Sequence, residues 1–239
     1  MLAGTSGFSY ASWAPRFYPA GSRSRDLLPH YASRLSACEL NNTFYARPTA
    51  EKIAGWCAAT PPAFRFVVKA QRGASIRALY ADPATSVPWL TETLPGFGER
   101  LGAVLFRVPG EVKRQDDKLA GLLAAWPRAL PLVLEAQHES WHVDETFEAL
   151  RAAGVVLCTT DLDDAETPPD IRRTGPFLYL RLRRTAYDDE ALDAWARRIA
   201  PFVDDGLDAY VLFRHDEDGT SAIHAVEFGD RVERARATG

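Results

Sequence analysis

The sequence predicts an α/β protein built as a single (β/α)8 TIM-like barrel with eight parallel strands, in one domain spanning residues 1–239. Eight short, almost continuously apolar segments alternate with segments of helical periodicity, and such strands are typical of a parallel sheet buried on both faces. A chain of 239 residues fits a closed barrel, which commonly needs about 250. No G-x-G-x-x-G motif follows the first strand, which disfavours an open dinucleotide-binding sheet.

The elements of the first half follow from apolar runs and helical spacing. Ser24 and Thr49 are suited to cap two helices with their side-chain oxygens, and Pro61 ends the second of these helices. The irregular segment 71–95 is expected to contribute one helix, at residues 88–97. In order, we predict a strand at 2–6, a helix at 24–35, a strand at 37–41, a helix from 49, a strand at 64–70 and a strand at 101–108.

The second half repeats the alternation. Leu119, Leu122 and Trp126 keep helical spacing, Ser140 is suited to cap a helix, and Gly154 is suited to end that helix in the left-handed conformation. An acidic, proline-containing loop follows the sixth strand. In order, we predict a helix at 113–126, a strand at 132–135, a helix at 144–153, strands at 155–160 and 177–183, a helix at 189–202, a strand at 209–213 and a last helix after residues 219–221.

Composition and charge restrict the function classes. The net charge of −4 argues against broad nucleic-acid or membrane binding. No apolar run is long enough to span a membrane and the chain does not begin with a signal peptide, so we expect a cytoplasmic protein, either a monomer or a weak oligomer. The three cysteines lie far apart without C-x-x-C spacing, and we interpret them as buried small hydrophobic residues.

The barrel predicts where a site lies, because active sites of this fold sit at the C-terminal ends of the strands. Side chains alternate along a strand, so Arg181 and Arg183 should face the lumen opposite the leucines of their strand. Glu39 and Asn41 should likewise share a face. The polar residues expected to converge are Thr5 or Ser6, Glu39, Asn41, Lys69, Arg107, Glu135, His138, Asp161, Arg181, Arg183, Arg214 and His215.

Two kinds of chemistry suit these residues. Glu39 and Glu135 are candidate acid and base, with Lys69 tuning one of them, because carboxyls in different environments can hold different protonation states. A structural ion network that only neutralises these charges is the alternative. Arginines and Lys69 also suit a phosphate or carboxylate, with the backbone N–H groups of residues 219–221 adding to the site. The aromatic residues expected to line it are Tyr10, Trp13, Phe44 and Tyr45.

Some of the same residues are also candidate metal ligands. Glu39, Glu135, His138 and Asp161 are ligand types for a divalent ion. Their spacing is not a metal-binding signature, and Lys69 and the arginines would oppose a cation. We therefore predict no metal ligand and no cofactor.

Two long motifs stand out in the sequence: GTSGFSY at residues 4–10, followed by Trp13 and the FYP of residues 17–19, and ELNNTFY at residues 39–45, followed by Pro48. Both resemble motifs of the YecE-like family, domain of unknown function 72. Shorter matches are FVVKA at 66–70, LGAVLF at 101–106, Glu135 with HESW at 138–141, and YLRL at 179–182. The resemblance runs nearly end to end and implies a TIM-barrel-like fold, but little chemistry, because the family has no established function.

The chain departs from the family pattern at four strand ends. Where the family tends to have Gln, Arg, His-Gly and paired Asn, this chain has Arg107, Gln137, Arg183-Arg184 and Arg214-His215. These changes move and add positive charge. We therefore expect an enzyme that acts on a small anionic substrate, as a hydrolase, isomerase or lyase. The alternatives are a non-catalytic protein that binds a charged ligand or a nucleic-acid end stacked on Tyr10, Trp13 and Phe44, or a divalent-metal-dependent hydrolase.

Overall fold

Eight parallel strands close into a barrel, as predicted, and follow one another around it in chain order. The computed structural model of the protein describes residues 1–165 and 167–238. Leu2 of the first strand pairs with Tyr210 of the last, and closure of this kind leaves a sheet without a free edge. The strands are β1 (Leu2–Ser6), β2 (Ala37–Leu40), β3 (Arg65–Lys69), β4 (Leu101–Val108), β5 (Leu132–Ala136), β6 (Val156–Asp161), β7 (Phe177–Leu182) and β8 (Asp208–Phe213).

Helices surround the barrel and cover its outer face. They are α1 (Ser24–Arg34), α2 (Ala50–Ala58), α3 (Arg72–Tyr80), α4 (Pro83–Thr91), α5 (Asp116–Ala125), α6 (Asp144–Ala153), α7 (Asp189–Asp204) and α8 (Thr220–Thr238), with short 3-10 helices at Ala11–Trp13, Asn41–Phe44, Leu94–Arg100 and Glu139–Trp141. The connection between β6 and β7 contains no helix in its described residues, 162–165 and 167–176. No helix within the described part of the chain is long and apolar enough to cross a membrane.

Side-chain alternation separates two apolar clusters, as the sequence predicted. Val67, Val133 and Tyr179 belong to the cluster inside the barrel. Their strand neighbours Leu134 and Leu180 belong to the larger cluster between the strands and the helices. The lumen is therefore filled with side chains over most of its depth, and polar groups are concentrated at the C-terminal ends of the strands.

The connection between β3 and β4 differs from the prediction. It contains α3 and α4 rather than one helix at residues 88–97. Gln71 begins α3 by accepting a hydrogen bond from the Ala74 amide, and Asp82 begins α4 by accepting one from the Thr85 amide. Pro83 occupies the first position of α4, where its missing N–H costs nothing.

The predicted caps are confirmed in part. Thr49 accepts a hydrogen bond from the Lys52 amide, and Gly154 ends α6 in the left-handed conformation at a φ of 69°. Ser24 does not cap α1, because it is already the first helical residue. Ser140 does not cap α6 either, since its Oγ accepts a hydrogen bond from the Arg114 amide. Helix α5 starts at Asp116, later than the predicted residue 113.

Candidate active site

Arg181 on β7 joins two carboxylates across the interior of the barrel. Its Nη2 donates to Glu39 Oε1 at 2.7 Å, and its Nη1 donates to Glu135 Oε1 at 2.6 Å. Glu39, Glu135 and Arg181 are only 0%, 1% and 2% exposed. We call these three residues the central ion network. Buried charges require such pairing, because desolvating an unpaired ion is costly.

Tyr179 occupies the second oxygen of Glu39. Its hydroxyl donates to Glu39 Oε2 at 2.9 Å. Burial and the adjacent Glu39 carboxylate raise the pKa of Tyr179, so the phenol stays protonated and remains a donor. Because both oxygens of Glu39 are engaged, this carboxylate is suited to position Arg181.

The two carboxylate oxygens of Glu135 differ in their hydrogen bonds. Its Oε1 also accepts from the Thr160 hydroxyl at 3.1 Å, while its Oε2 lies 3.5 Å from Arg107 Nε and has no hydrogen-bond partner in residues 1–165 and 167–238. Burial alone would raise the pKa of Glu135. The charge and the hydrogen bond of Arg181 lower this pKa, and the charges of Arg107 and Lys69 lower it further, so that it lies below its usual value. Glu135 is therefore ionised at neutral pH, and its Oε2, although buried, keeps an acceptor position without a hydrogen bond among the described residues.

Lys69, at the end of β3, is a cation without a carboxylate partner. No ion pair involves it among the described residues, and its Nζ lies 4.7 Å from the centroid of the Phe44 ring. Burial lowers the pKa of Lys69, and Arg181 and Arg107 lower it further against the opposing effect of Glu39 and Glu135. A half-buried amine with a lowered pKa is suited to proton transfer or to nucleophilic chemistry.

Two arginines add positive charge at the same end of the barrel. Arg183 is partly buried and Arg214 is exposed, and neither has a carboxylate ion-pair partner in the part of the chain that the structure describes. Burial and the charge of Arg181 lower the pKa of Arg183. Five cationic side chains thus lie with the carboxylates of Glu39 and Glu135 at the strand ends, and the loops around them also carry acidic residues, among them Asp163 near Arg214 and Asp216 near His215. The cationic side chains are Lys69, Arg107, Arg181, Arg183 and Arg214.

His215 lies beside these cations and is held by two neighbours. Its ring stacks on Tyr10 at a centroid distance of 4.9 Å and an interplanar angle of 5°. Its Nδ1 lies 3.4 Å from Ser6 Oγ, and its amide donates to the same oxygen. Burial, Arg183 and Arg214 lower the pKa of His215, so the imidazole is neutral at pH 7 and available as an acceptor.

A cleft of about 350 Å³ lies between the ends of β5 and β6, α6 and the β6–β7 connection. Its lining includes Gln137, Thr160, Phe147 on α6 and Arg172 in the β6–β7 connection. Two of these residues contact the charged groups, because Gln137 accepts a hydrogen bond from Arg107 at 2.8 Å and Thr160 donates to Glu135. This volume is at the small end of the range for ligand sites.

Three predicted site residues face away from the lumen. The Thr5 hydroxyl lies 2.9 Å from the Tyr31 hydroxyl on α1, so the residue of β1 that reaches His215 is Ser6. Trp13 is fully buried and donates to the carbonyl of Asp216, which leaves no face for a ligand. Asp161 is also fully buried and accepts from three groups on the α7 side: Arg184, Tyr187 and Trp195.

The remaining predicted residues lie at the rim. Asn41 does not continue β2, because the strand ends at Leu40, and its Nδ2 donates to the carbonyl of Ser6. His138 Nδ1 accepts from the Ser140 amide, so it orders its own turn. Tyr45 is 80% exposed, whereas Phe44 packs against Lys69.

The expected contribution of residues 219–221 to anion binding is contradicted. Asp216 accepts from the amides of Gly219 and Ser221, and Asp218 accepts from the amide of Thr220. These N–H groups are therefore already occupied by carboxylates, which would also repel a phosphate.

No group of three His, Cys, Asp or Glu side chains that could hold a metal ion is present among residues 1–165 and 167–238. The two carboxylates that face the lumen are instead bound by Arg181. The guanidinium occupies the position between them that a cation would need.

Sequence reasoning missed Thr160 and Tyr179 as contributors to the site, whereas Ser6 was one of its two alternatives on β1. Thr160 contacts Glu135, and Tyr179 contacts Glu39. Strand alternation could have found them, since Thr160 lies two residues from Cys158 and Tyr179 lies two residues from Arg181, on the same faces.

Comparison with known proteins places the chain in a family. A family profile described as "Protein of unknown function DUF72" matches residues 2–238. The UPF0759 protein YunF of Bacillus subtilis (strain 168) is 22% identical in an alignment 244 positions long, gaps included, that covers 86% of this chain and 86% of that one.

Solved structures agree with the fold. A DUF72 family protein of Thermotoga maritima MSB8 is 25% identical and superposes with a TM-score of 0.84 over 98% of this chain and 99% of that one. A DUF72 family protein of Enterococcus faecalis V583 is 21% identical and gives a TM-score of 0.76 over 97% of each chain. The resemblance of the sequence motifs to this family is thereby confirmed. Because the family profile matches almost the whole chain, the protein belongs to the DUF72 family.

Proposed function

We propose that the protein is an enzyme that binds a small phosphorylated or carboxylated substrate at the C-terminal end of its barrel and transfers protons there. The observation that carries this proposal is the presence of Lys69, Arg183 and Arg214 beside the central ion network without carboxylate partners among the described residues. Cations that are not neutralised by the protein are suited to hold an anionic ligand.

The geometry favours different roles for the two carboxylates. Glu39 is fully buried and both of its oxygens are engaged, so it acts by positioning Arg181 and not as an acid. Glu135 is the candidate base, because it is ionised and its Oε2 has no hydrogen-bond partner in the described residues. Lys69 is the candidate acid, since burial brings its pKa down toward the range in which it can release a proton.

This arrangement suits reactions in which a carbon or water gives up a proton while negative charge develops on a neighbouring oxygen. Glu135 would accept the proton, and Lys69 and Arg107 would stabilise the oxygen. Hydrolysis, isomerisation and lyase chemistry share this requirement.

Two of the alternative functions, binding of a nucleic-acid end and metal-dependent hydrolysis, have less support. Stacking of a nucleic-acid end would need an open face on Trp13, which is buried. Metal-dependent hydrolysis would need Glu39 and Glu135 to turn from Arg181 toward a cation, and the remaining cations of the site would repel that ion.

Thermal unfolding with an anion panel tests the proposal. Phosphate, sulfate, sugar phosphates and dicarboxylates are added to the wild type, to Arg183→Ala and to Arg128→Ala, whose exposed arginine lies in the loop before β5. A ligand at about 100 times its dissociation constant stabilises by about 2.7 kcal/mol. We expect the stabilisation in the wild type and in Arg128→Ala but not in Arg183→Ala. Equal stabilisation of all three proteins, or of none, would contradict anion binding at this site.

A further inference from the structure

Lys69 has a chemical capacity that the arginines around it lack. We propose that Lys69 is an amine nucleophile that condenses with the carbonyl group of an anionic substrate, such as a 2-oxo acid or a phosphorylated aldehyde or ketone. This inference rests on the proposed function, because the anion-binding cations would hold the carboxylate or phosphate of that substrate.

The choice of residue type is the first argument. Of the 28 basic residues in the chain, 24 are arginine and four are lysine. Lys52 and Lys113 are exposed, Lys118 is partly exposed on α5, and only Lys69 is at a lumen position. A guanidinium is always protonated and holds charge, whereas an ammonium can lose its proton and then has a lone pair for bond formation.

The surroundings of the amine are the second argument. The nearby carboxylates Glu39 and Glu135 are bound to Arg181, so neither forms an ion pair with Lys69 within the described residues. Nζ lies 4.7 Å from the centroid of the Phe44 ring, a contact that favours the ammonium form and opposes the effect of burial. Burial, with Arg181 and Arg107, lowers the pKa of Lys69, which increases the fraction of neutral amine at pH 7.

The reaction balances without an oxidant or reductant. The Nζ lone pair forms a bond to the carbonyl carbon, and the oxygen takes up a proton to give a carbinolamine. Loss of the oxygen as water leaves a C=N bond, so amine and carbonyl yield imine and one water. The protonated imine withdraws electrons from the adjacent carbon, and Glu135 is the base suited to remove a proton there.

Reductive trapping tests the inference. The protein is incubated with pyruvate or dihydroxyacetone phosphate, sodium borohydride is added to convert any imine into a stable secondary amine, and peptides are analysed by mass spectrometry. Lys52, Lys113 and Lys118 are internal controls for non-specific reaction. We expect at least about tenfold more label on Lys69 than on these lysines, because the cations of the site would hold the substrate next to this amine and raise its effective concentration there. Lys69→Arg and Lys69→Met should lose the label while they unfold at the wild-type temperature, and Lys113→Arg should keep it.

Non-carbonyl analogues separate this inference from the proposed function. Lactate and glycerol 3-phosphate carry the same anionic groups but cannot form an imine. If they stabilise the wild type and not Arg183→Ala, while neither carbonyl compound labels Lys69, the nucleophile role is wrong and anion binding stands. If uncharged acetone labels Lys69 as efficiently as pyruvate does, the proposal of an anionic substrate is wrong. Neither stabilisation nor labelling by any compound would overturn both proposals.

Discussion

Arg181 is the residue on which the candidate active site depends most. Its planar guanidinium offers two terminal nitrogens, and each binds a different carboxylate. A lysine could not satisfy both acceptors in this geometry, because its ammonium is a single point of charge. The site is therefore built around one side chain that makes two buried ion pairs.

Replacing Arg181 with Met should destabilise the protein by about 3–5 kcal/mol, because two carboxylates would remain buried without their partner. The penalty should depend on pH. Arg181 holds the pKa of Glu135 below its usual value, so this network stabilises the wild type above the unfolded-state pKa and loses that contribution as the pH falls. Without Arg181 the pKa of Glu135 rises, and the carboxyl becomes neutral at a higher pH.

Urea unfolding from about pH 7 to about pH 4, which spans the ordinary pKa of glutamate, measures this effect. The difference in unfolding free energy between the wild type and Arg181→Met should shrink as the pH falls. Arg128→Met, which removes an exposed arginine, should show no such trend. A difference that stays constant with pH would mean that the carboxylates do not carry the penalty.

Individual site residues could be predicted only on strands where large apolar residues mark the face that points away from the lumen. Arg181 and Lys69 face the lumen as predicted because leucines or other large apolar residues mark the opposite face of their strands. Asp161 is the last residue of β6, and each face of this strand carries both apolar residues and a threonine, so nothing in the sequence marks its outward direction. Asn41 was misplaced because β2 ends one residue earlier than predicted, and alternation has no meaning beyond a strand end.

Among the elements, the junction of β6 with α7 shows how a carboxylate can serve the fold instead of the site. Asp161 receives hydrogen bonds from Arg184 and Tyr187, which precede α7, and from Trp195 within it. The carboxylate therefore ties the end of a barrel strand to the helix outside it. No helix lies between β6 and β7 in the described residues, so this tie helps to close the barrel wall there.

Asp161→Ala should lower the free energy of unfolding by about 1.5–3 kcal/mol, because one buried and two partly buried donors lose a charged acceptor. Asp161→Asn, which retains one carbonyl acceptor, should lose less. Both variants should keep the stabilisation by anions that the wild type shows, as their site lies on the other side of the strand. Anion binding that is lost in a folded Asp161→Asn protein would return this residue to the site.

Elements were predictable where their apolar pattern was strong. All eight strands were recognised, since each is a short buried run. Helices α3 and α4 were not, because the buried residues of α3 include Ala74, Ser75 and Ala78, which leave no leucine stripe to detect. The Asp82-Pro83 pair was the available signal, because it combines a preferred capping residue with proline at the first helical position.

At the scale of the whole molecule, the charge of the residue cluster at the strand ends differs from the net charge of the chain. The chain carries a net charge of −4, yet the C-terminal end of the barrel gathers five cations around two carboxylates. Composition alone could not predict this cluster of cations, since it gives only the net charge summed over the chain. The strand ends predicted it better, because the fold brings together arginines and a lysine that are far apart in sequence.

This distribution predicts how anion affinity responds to salt. At about 0.1 M ionic strength the screening length is about 10 Å, so the negative groups elsewhere on the surface have little effect on a ligand at the site, and the local cations dominate. The dissociation constant for sulfate, measured by calorimetry, should therefore rise as ionic strength increases from about 0.1 to about 1 M, where the screening length falls to about 3 Å. Arg214→Ala should reduce this dependence, because Arg214 is the most exposed of the cations and the one most easily screened.

Two salts separate screening from competition for the site. Sodium acetate and sodium chloride should give the same dependence if screening alone acts, and a steeper dependence with either salt would mean that its anion also occupies the site. An affinity for sulfate that is unchanged by ionic strength, or that increases with it, would show that the cations at the strand ends do not determine binding. Electrostatic attraction by the cations at the strand ends would then have to be abandoned as the basis for selecting an anionic substrate.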